Sequence, residues 1–541
     1  MKGWSGMLSK RMRQTTACAV FSLTIPFSLA CTGPAIAAQA SASAENPPSL
    51  EEAALQAAAD KAGVRDFYAK GGWHPVWSED AAQALEQALS ERKRHGLDRV
   101  QFASGGASDA GAAAQEVAHT RAALAYASAL ARGITDPASL QEAYTIPRPD
   151  PDLVAGLSKA LSENDLAGWF GRLAPQDDEY RQLSKAYLRF RDEAKDEAKD
   201  ATEEEISATG LIHVGDADPR VPAIIDQLVG GGYMSGDAQG RSGERPTGSP
   251  DGPASQAGPA VYTETVAAAV KSLQGDYGIA DDGVIGPETL KVLNLGPGDR
   301  ARALAVALER RRWLSRNPSA TRINVNTAAA RLRYYRDGQV ADSRKVIVGQ
   351  AGKETPGLLS PIYRLVANPT WTVPKSIQNG ELANVGPDYF NSHNMVMRDG
   401  WIVQQPGPDN ALGLVKFDMQ NDQAIYLHDT SSPALFDRSQ RHLSHGCVRV
   451  EDALGFAQRL AEEEGIADKW QQAAQSGEQT FVPLPQRIPV RLLYHNVFVD
   501  DGGKIAFRTD PYGWNDAVAQ ALGFGASPTQ QAKADSVDIG P

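Results

Sequence analysis

The hydrophobic pattern divides the chain into a helical first part and a β-rich second part. In residues 45–205, apolar side chains recur at helical spacing, as in "DAAQALEQALSERKRHGLD" and "AALAYASALARGITDP", and each stretch ends at Gly or Pro. From about Thr321, apolar and polar positions alternate, and "RINVNTAAARLRYYRDGQVADSRKVIVG" does so around a turn at Asp337-Gly338. The pattern predicts a helical domain followed by a mainly β domain at 320–485.

A third pattern lies between these two parts, in residues 206–300. "HVGDADPRVPAIIDQLVGGGYM" predicts a turn and a short helix, and "VYTETVAAAVKSLQGDYGIADDGVIGPETLKVLN" predicts a helix, a turn and a further helix. Residues 237–260 are dense in Gly, Pro and Ser and predict a disordered insertion. Residues 486–525 predict a C-terminal β extension, and 526–541 a disordered tail. The fold class is therefore multidomain α+β.

The first residues have the pattern of a secretory signal. Four basic residues precede an apolar run from about residue 17 to residue 29, and Ala35-Ile36-Ala37 supplies a cleavage site, so we assign residues 1–37 to the signal. Lipidation of Cys31 is an alternative, although Ser28 stands where a lipobox normally has an aliphatic side chain. We expect a periplasmic protein, with an inner-membrane anchor as the alternative if the signal is retained.

Charge and cysteine content narrow the function further. The formal net charge is -12, and the signal carries basic but no acidic residues, so the exported chain is more acidic still and nucleic-acid binding is disfavoured. Of the three cysteines, Cys18 and Cys31 leave with the signal, which leaves Cys447 without a disulfide partner. An unpaired thiol in an oxidising compartment favours a chemical role.

Cys447 lies in the segment "RHLSHGCVRV", immediately before the predicted helix "EDALGFAQRLAEEEGI". A catalytic cysteine needs a base and a positive field, and His428 on the strand-like "IYLHD" is a candidate base. A helix start after Cys447 would add N–H groups and a positive dipole end. Gly446 would let the backbone approach a substrate carbonyl, and Arg449 would add a fixed charge.

Simpler interpretations stay open on these residues alone. A lone cysteine is more often a small buried hydrophobe, and a lone strand histidine is mostly structural. His442, His445 and Cys447, with His428 as a fourth ligand, could also hold zinc, although their spacing matches no common structural zinc pattern. We expect no metal and no cofactor.

The segment "H-x(15)-SHGCVRV" resembles the signature of L,D-transpeptidases with a YkuD-like catalytic domain. "NPTWTVP", "QQPGPDNALGLVKF" and "YLHDT" extend the resemblance to the large, scaffold-containing YcbB type. "FYAKGGWHPVW" and "HGLD" resemble its helical scaffold, and "DDGVIGPETLKVLN" resembles a small three-helix peptidoglycan-binding domain. The similarity covers most of the chain from Phe67 to Trp514.

The resemblance implies a role for each matching residue. Cys447 would be the nucleophile, His428 its base, and His445 and Arg449 stabilising groups, with oxyanion donors from the backbone around Gly446 and Cys447. It also implies substrate contacts at Tyr426, Ser444, Gly446, Trp371 and Asn368. For the orienter of His428 we expect a backbone carbonyl, because the adjacent Asp429 would face the other side of the strand.

The resemblance further implies formation of 3-3 peptidoglycan cross-links. The partners would be a donor tetrapeptide stem and an acceptor amine, with wall synthases and D,D-carboxypeptidases supplying the stems. Residues 376–400 form the candidate lid that excludes water. An L,D-carboxypeptidase, a non-catalytic wall-binding scaffold protein and a zinc peptidase are the alternative functions.

Overall fold

A computed structural model describes residues 50–102, 111–197, 205–235 and 260–525 of the protein. The predicted signal at 1–37, most of the predicted insertion and the predicted tail lie outside these described residues. Within these ranges, no helix combines the length and apolarity that a membrane crossing requires.

The first described region is helical. Its α-helices are α1 Leu50–Ala58, α2 Ala62–Lys70, α3 Glu79–Ser90, α4 Ala112–Arg132, α5 Pro137–Leu140, α6 Leu153–Ser162, α7 Leu166–Leu173 and α8 Asp178–Glu197. Ser78 and Asp152 start α3 and α6, because each side chain accepts a backbone N–H of the first turn. The apolar faces form one core around residues such as Leu85, Tyr126 and Leu157.

The small middle domain contains β1 Ala217–Asp218, α9 Val221–Gly230, β2 Ala260–Val261, α10 Glu264–Tyr277 and α11 Pro287–Leu293, around a core of its own. Pro222 lies in the first turn of α9, where a missing N–H has no consequence. Ala260 was assigned to the disordered insertion, and this is wrong: it pairs with Asp218 in a two-stranded sheet.

Helix α12, Pro297–Arg312, connects the middle domain to the sheet but packs into the scaffold core through Leu304, Ala305 and Leu308. Its Glu309 is fully buried, accepts the backbone N–H groups of residues 134 and 135, and pairs with Arg312 at 2.6 Å. The scaffold is therefore built from separated stretches of the chain.

The β-rich region begins with β3 Arg322–Asn326, β4 Arg331–Arg336, β5 Gln339–Gly349, β6 Leu358–Ala367, β7 Trp371–Thr372, α13 Lys375–Asn379, α14 Pro387–Ser392, β8 Met395–Arg398 and β9 Trp401–Gln404. It continues with β10 Val415–Met419, β11 Leu427–His428, β12 His442–Ser444, β13 Val448–Val450, α15 Ala453–Glu463, α16 Ala467–Gln475, β14 Thr480–Leu493, β15 Val497–Val499, β16 Ile505–Phe507 and α17 Asn515–Ala521.

In the described part of the chain, the largest sheet has nine strands in the order β12-β5-β13-β11-β10-β6-β14-β3-β4. Strand β4 also pairs with β5, so the sheet closes on itself. The predicted turn joins these two strands, with Asp337 and Gly338 both in the left-handed region, as a tight hairpin requires. Helices α15 and α16 pack on the sheet through Phe456, Leu460 and Trp470.

The predicted C-terminal β extension at 486–525 needs correction. Strand β14 lies between β6 and β3 in the large sheet, so the predicted boundary at residue 485 falls inside it. A register shift between Pro483 and Ile488 interrupts the alternation at the point where the sequence suggested the boundary. Helix α17 belongs to the scaffold core, where Val518 and Leu522 pack.

The segment predicted to be a lid, which we continue to call the lid, is a small folded unit rather than a loop. Strands β7, β9 and β8 form a three-stranded sheet, and α13 and α14 lie in the same segment. Its core contains Trp371, Val373, Ile377, Leu382, Met395, Ile402 and Leu412. The unit therefore extends beyond the predicted residues 376–400, beginning at β7 and reaching β9.

Candidate active site

Two short parallel strands bring the candidate nucleophile and base together. His428 of β11 lies opposite Arg449 of β13, and the N–H of Val448 donates to the carbonyl of Tyr426 at 3.1 Å. Because alternate residues share a face, Tyr426, His428, Cys447 and Arg449 face the same side of the sheet. Cys447 lies two residues before Arg449, the residue opposite His428. Strand spacing and rise therefore give an expected Cα separation of about 8 Å between His428 and Cys447.

The Cys447 thiol lies under the surface. The residue is 8% exposed, and Sγ is 3.8 Å from the carbonyl oxygen of Ala424. Burial raises the pKa of the Cys447 thiol, while the Tyr426 backbone and hydroxyl, Lys416 and Arg449 act in the opposite direction. The site therefore holds a protonated thiol surrounded by groups that would stabilise the thiolate.

The backbone around Cys447 differs from the prediction. Cys447 precedes strand β13, and α15 begins only at Ala453, so the expected helix dipole at the thiol is wrong. Gly446 has a φ of 117°, a conformation that favours glycine. Its N–H donates to the Ser444 hydroxyl at 3.1 Å, so this donor is engaged within the turn instead of facing an oxyanion.

His428 is fully buried, and neither ring nitrogen has a hydrogen-bond partner. Burial, followed by the charges of Arg449 and Lys416, holds the pKa of the His428 imidazole well below 6.5. A backbone contact with Asp429 acts in the opposite direction and raises the pKa, which is the effect expected of a carbonyl orienter. The prediction that Asp429 faces elsewhere is confirmed, since its carboxylate accepts the N–H of Leu414 at 2.9 Å. A neutral imidazole with open nitrogens can accept a proton.

Lys416 was missed by sequence reasoning. It lies directly opposite His428 in the antiparallel pair of β10 and β11, and its Nζ is 4.2 Å from the ring centroid of Tyr426. Asp418 pairs with the same ammonium group at 2.7 Å. A lysine between the buried Val415 and Phe417 in "LVKFD" was the available signal, because strand alternation places it on the opposite face from them.

His445 connects the site to the lid. Its Nε2 is 2.9 Å from Oε1 of Glu381, which also pairs with Lys353 at 2.7 Å. These contacts, that of Lys353 first, lower the pKa of Glu381 to about 2. We call Lys353, Glu381 and His445 the lid latch, because Glu381 lies in the lid and its two partners lie outside it. Glu381 and Lys353 are further residues that the sequence did not reveal.

The predicted substrate contacts fall into two groups. Tyr426 packs against both the sheet core and the lid core, and Trp371 belongs to the lid core. In contrast, Ser444 is fully buried and its hydroxyl donates to the Cys447 carbonyl at 2.6 Å, while Asn368 is buried and donates to the carbonyl of Ala473 at 3.2 Å. The assignment of Ser444 and Asn368 as substrate contacts is therefore replaced by a structural role in each turn.

The alternative zinc ligands do not converge. His442 lies on β12, next to β5, and its Nε2 is 2.9 Å from the backbone carbonyl of Thr327. Among the described residues, no three His, Cys, Asp or Glu side chains form a group that could hold a metal ion.

Comparison with known proteins matches three parts of the chain to families of domains. Residues 320–474 match the family model described as "L,D-transpeptidase catalytic domain" (YkuD). Residues 62–186 match "Scaffold domain", and 247–293 match "Putative peptidoglycan binding domain". The chain contains a YkuD L,D-transpeptidase catalytic domain. This domain is mostly β and is accompanied by a helical scaffold domain and a helical peptidoglycan-binding domain.

One curated relative is named "Putative L,D-transpeptidase" from Haemophilus influenzae. It is 33% identical over 220 residues, which cover 36% of this chain and 45% of the relative. The chain thus spans somewhat less than half the length of that protein.

Solved structures were also found. An Enterococcus faecium L,D-transpeptidase mutant shows 12% identity, covering 32% of this chain and 50% of that one, with a TM-score of 0.17. An L,D-transpeptidase from Xylanimonas cellulosilytica shows 16% identity, covering 53% and 98%, with a TM-score of 0.18.

Proposed function

We propose that the protein is a cysteine-dependent L,D-transpeptidase that forms 3-3 cross-links between peptidoglycan stems. The observation that supports this proposal is the parallel pairing of β11 with β13, whose register implies that His428 and Cys447 face the same side of the sheet, two residues apart along the strands. Lys416 and Arg449 supply the positive field that a thiolate needs.

The reaction proceeds in two acyl transfers. The Cys447 thiol gives its proton to an open nitrogen of His428, and the sulfur attacks the carbonyl between the L-centre and the D-centre of a tetrapeptide stem. The C–N bond breaks, the leaving D-Ala amine takes the proton from His428, and a thioester remains. An acceptor amine then attacks the thioester, forms the cross-linking amide and returns the proton to sulfur.

The substrate has to activate the thiol. In the unliganded site the thiol and the imidazole are both neutral, because burial opposes either charge. Charge separation between neighbouring groups becomes favourable when the substrate carbonyl accepts the developing negative charge. The low basal reactivity protects a lone thiol in an oxidising compartment.

The lid favours transfer over hydrolysis. It holds a folded core against Tyr426 and is fastened to His445 by Glu381, so it can shield the thioester from water while the acceptor amine enters. This argument favours a transpeptidase over an L,D-carboxypeptidase.

We propose export to the periplasm on the basis of the signal at residues 1–37, with retention of the signal as the route to an inner-membrane anchor. Peptidoglycan stems are the proposed donor and acceptor, in keeping with the catalytic and peptidoglycan-binding domains. Synthases and D,D-carboxypeptidases that generate tetrapeptide stems are the proposed protein partners.

The direct test is muropeptide mass spectrometry with the full chain and disaccharide-tetrapeptides. Cross-linked dimers and free D-Ala should form with the parent protein and fall below detection with Cys447→Ala, because the nucleophile is gone. A carbapenem should add its mass to the parent protein and not to Cys447→Ala.

His213→Gln, on the exposed surface of the middle domain, is the matched control and should leave product formation unchanged. Trimmed monomers without dimers would show a carboxypeptidase instead. Dimers formed by Cys447→Ala would refute the cysteine mechanism.

A further inference from the structure

A polar cavity of about 70 Å³ lies where the scaffold, the large sheet and the C-terminal segment meet. Glu179 of α8 and Arg311 of α12 line it from the scaffold side, and Arg331 and Arg333 of β4 line it from the sheet. None of the lining residues belongs to the active site described above. The volume is several times the roughly 10–15 Å³ that one water molecule needs, so a small ion fits.

His495 points to a ligand in this cavity. It lines the cavity, is 7% exposed, and has no hydrogen-bond partner on either ring nitrogen. Its backbone is fixed, since its N–H donates to Asn326 at 3.0 Å and its carbonyl accepts from the same side chain at 3.0 Å. An unpartnered buried imidazole is costly, which indicates that a further polar group completes the site.

The charges around this imidazole are cationic. After burial, the groups that lower the pKa of His495 well below its usual value are Arg311, Arg310 and Arg491. The ring is therefore neutral and can offer one N–H as a donor. A negatively charged ligand would relieve the repulsion among the guanidinium groups.

The carboxylates at the cavity are already paired. Glu179 and Asp177 each accept from Arg311 at 2.6 Å, and Asp501 pairs with Arg331 at 2.6 Å and with Arg333 at 2.7 Å. A guanidinium carries five N–H donors, so one or two carboxylate contacts leave donors for a further anion.

We propose that the cavity binds one small tetrahedral oxyanion of the phosphate class, held by Arg311, Arg331, Arg333 and the N–H of His495. The anion would join α12 of the scaffold to β4 of the catalytic sheet, because each element contributes a guanidinium group. Binding would stabilise the docking of the two domains and would leave the chemistry at Cys447 untouched.

The test uses the full chain and inorganic phosphate, with chloride at matched ionic strength as the reference. Isothermal titration should show saturable binding at one site, and the melting temperature should rise with phosphate. His495→Asn and Arg331→Gln should each weaken binding about tenfold, the value of one charge-assisted hydrogen bond. The exposed His213→Asn of the middle domain is the control and should bind normally.

Three outcomes would overturn the proposal. These are no saturable binding beyond chloride, parent-like affinity in both cavity variants, or acetate binding as tightly as phosphate. Arg331 is 43% exposed on its side chain, so Arg331→Gln keeps the test valid if His495→Asn fails to fold.

Discussion

At the scale of single residues, Cys447 illustrates how burial and local charge oppose each other. Burial raises the thiol pKa, so most of the thiol stays protonated at neutral pH. The rate of iodoacetamide alkylation of the unliganded enzyme should therefore rise about tenfold for each pH unit from 6 to 9. Intact mass spectrometry measures this rate, with Cys447→Ala as the blank. A plateau near neutral pH would contradict the prediction.

Lys416 should influence the pH dependence of Cys447 alkylation through its charge alone, without contacting the substrate carbonyl carbon. Replacing it with Met removes a cation that favours the thiolate, so the thiol pKa should rise and the alkylation profile should move upward by roughly one pH unit. Lys416→Arg should restore most of the parent profile, whereas Lys469→Met, on the exposed face of α16, should not move it. An unchanged profile in Lys416→Met would exclude the electrostatic role.

The sequence predicted Cys447, His428 and the neighbouring Arg449 because a single thiol after the predicted signal and a spaced histidine are local signals. It could not predict Glu381, which lies 64 positions from His445 and is joined to it only by the fold of the lid. Ser444 and Asn368 show the opposite error: polar residues inside a matching motif were assigned to the substrate, but their hydrogen bonds hold turns.

At the scale of elements, the lid latch makes a distinct prediction. Glu381→Gln removes the charge that pairs with Lys353, so the lid should open more often. Cys447 should then be alkylated severalfold faster, and hydrolysis of the thioester should increase relative to cross-linking. Time-resolved intact mass and the ratio of trimmed monomers to dimers measure the two effects.

Asp388→Asn is the matched control for this change, because it neutralises an exposed carboxylate on α14 of the same lid. Unchanged alkylation and an unchanged product ratio in Glu381→Gln would show that the latch does not hold the lid. Lowering the pH is not expected to open the lid as Glu381→Gln does. The pKa of Glu381 is about 2, so its carboxylate stays ionised at any pH well above that value.

Element prediction worked where pattern and environment agree. The hairpin around Asp337-Gly338 was predicted because both flanking strands alternate and the turn residues tolerate positive φ. The domain boundary predicted at residue 485 falls inside β14, because the bulge in this strand breaks the alternation of apolar and polar residues. The lid was predicted as a segment, but its sheet was not, since the β7–β9 pairing joins distant residues.

At the scale of the whole molecule, Glu309 joins α12 to the scaffold. It is fully buried and accepts from Ile134, Thr135 and Arg312. Glu309→Ala should lower the free energy of unfolding by about 3–5 kcal/mol, because it leaves a buried charge and two backbone donors without their partner. Urea titration measures this loss. Glu193 forms an exposed ion pair with Arg189 on α8, so Glu193→Ala should change the free energy of unfolding by under about 1 kcal/mol.

The domain plan of the molecule was only partly accessible from sequence. Helix patterns predicted the scaffold and middle domains, but helical periodicity does not say which partner a helix packs against. Helices α12 and α17 therefore escaped assignment to the scaffold, although both contribute buried apolar side chains to its core.

Helix α17 lies late in the sequence, and this position has a consequence for how the protein is synthesised. The scaffold core includes Leu55 near one end of the described chain and Leu522 near the other. A nascent polypeptide cannot complete this core until the residues of α17 have been synthesised. Termination before residue 515 would thus leave the apolar surface that α17 covers exposed to solvent, and we expect such a truncated chain to be cut faster by proteases than the parent.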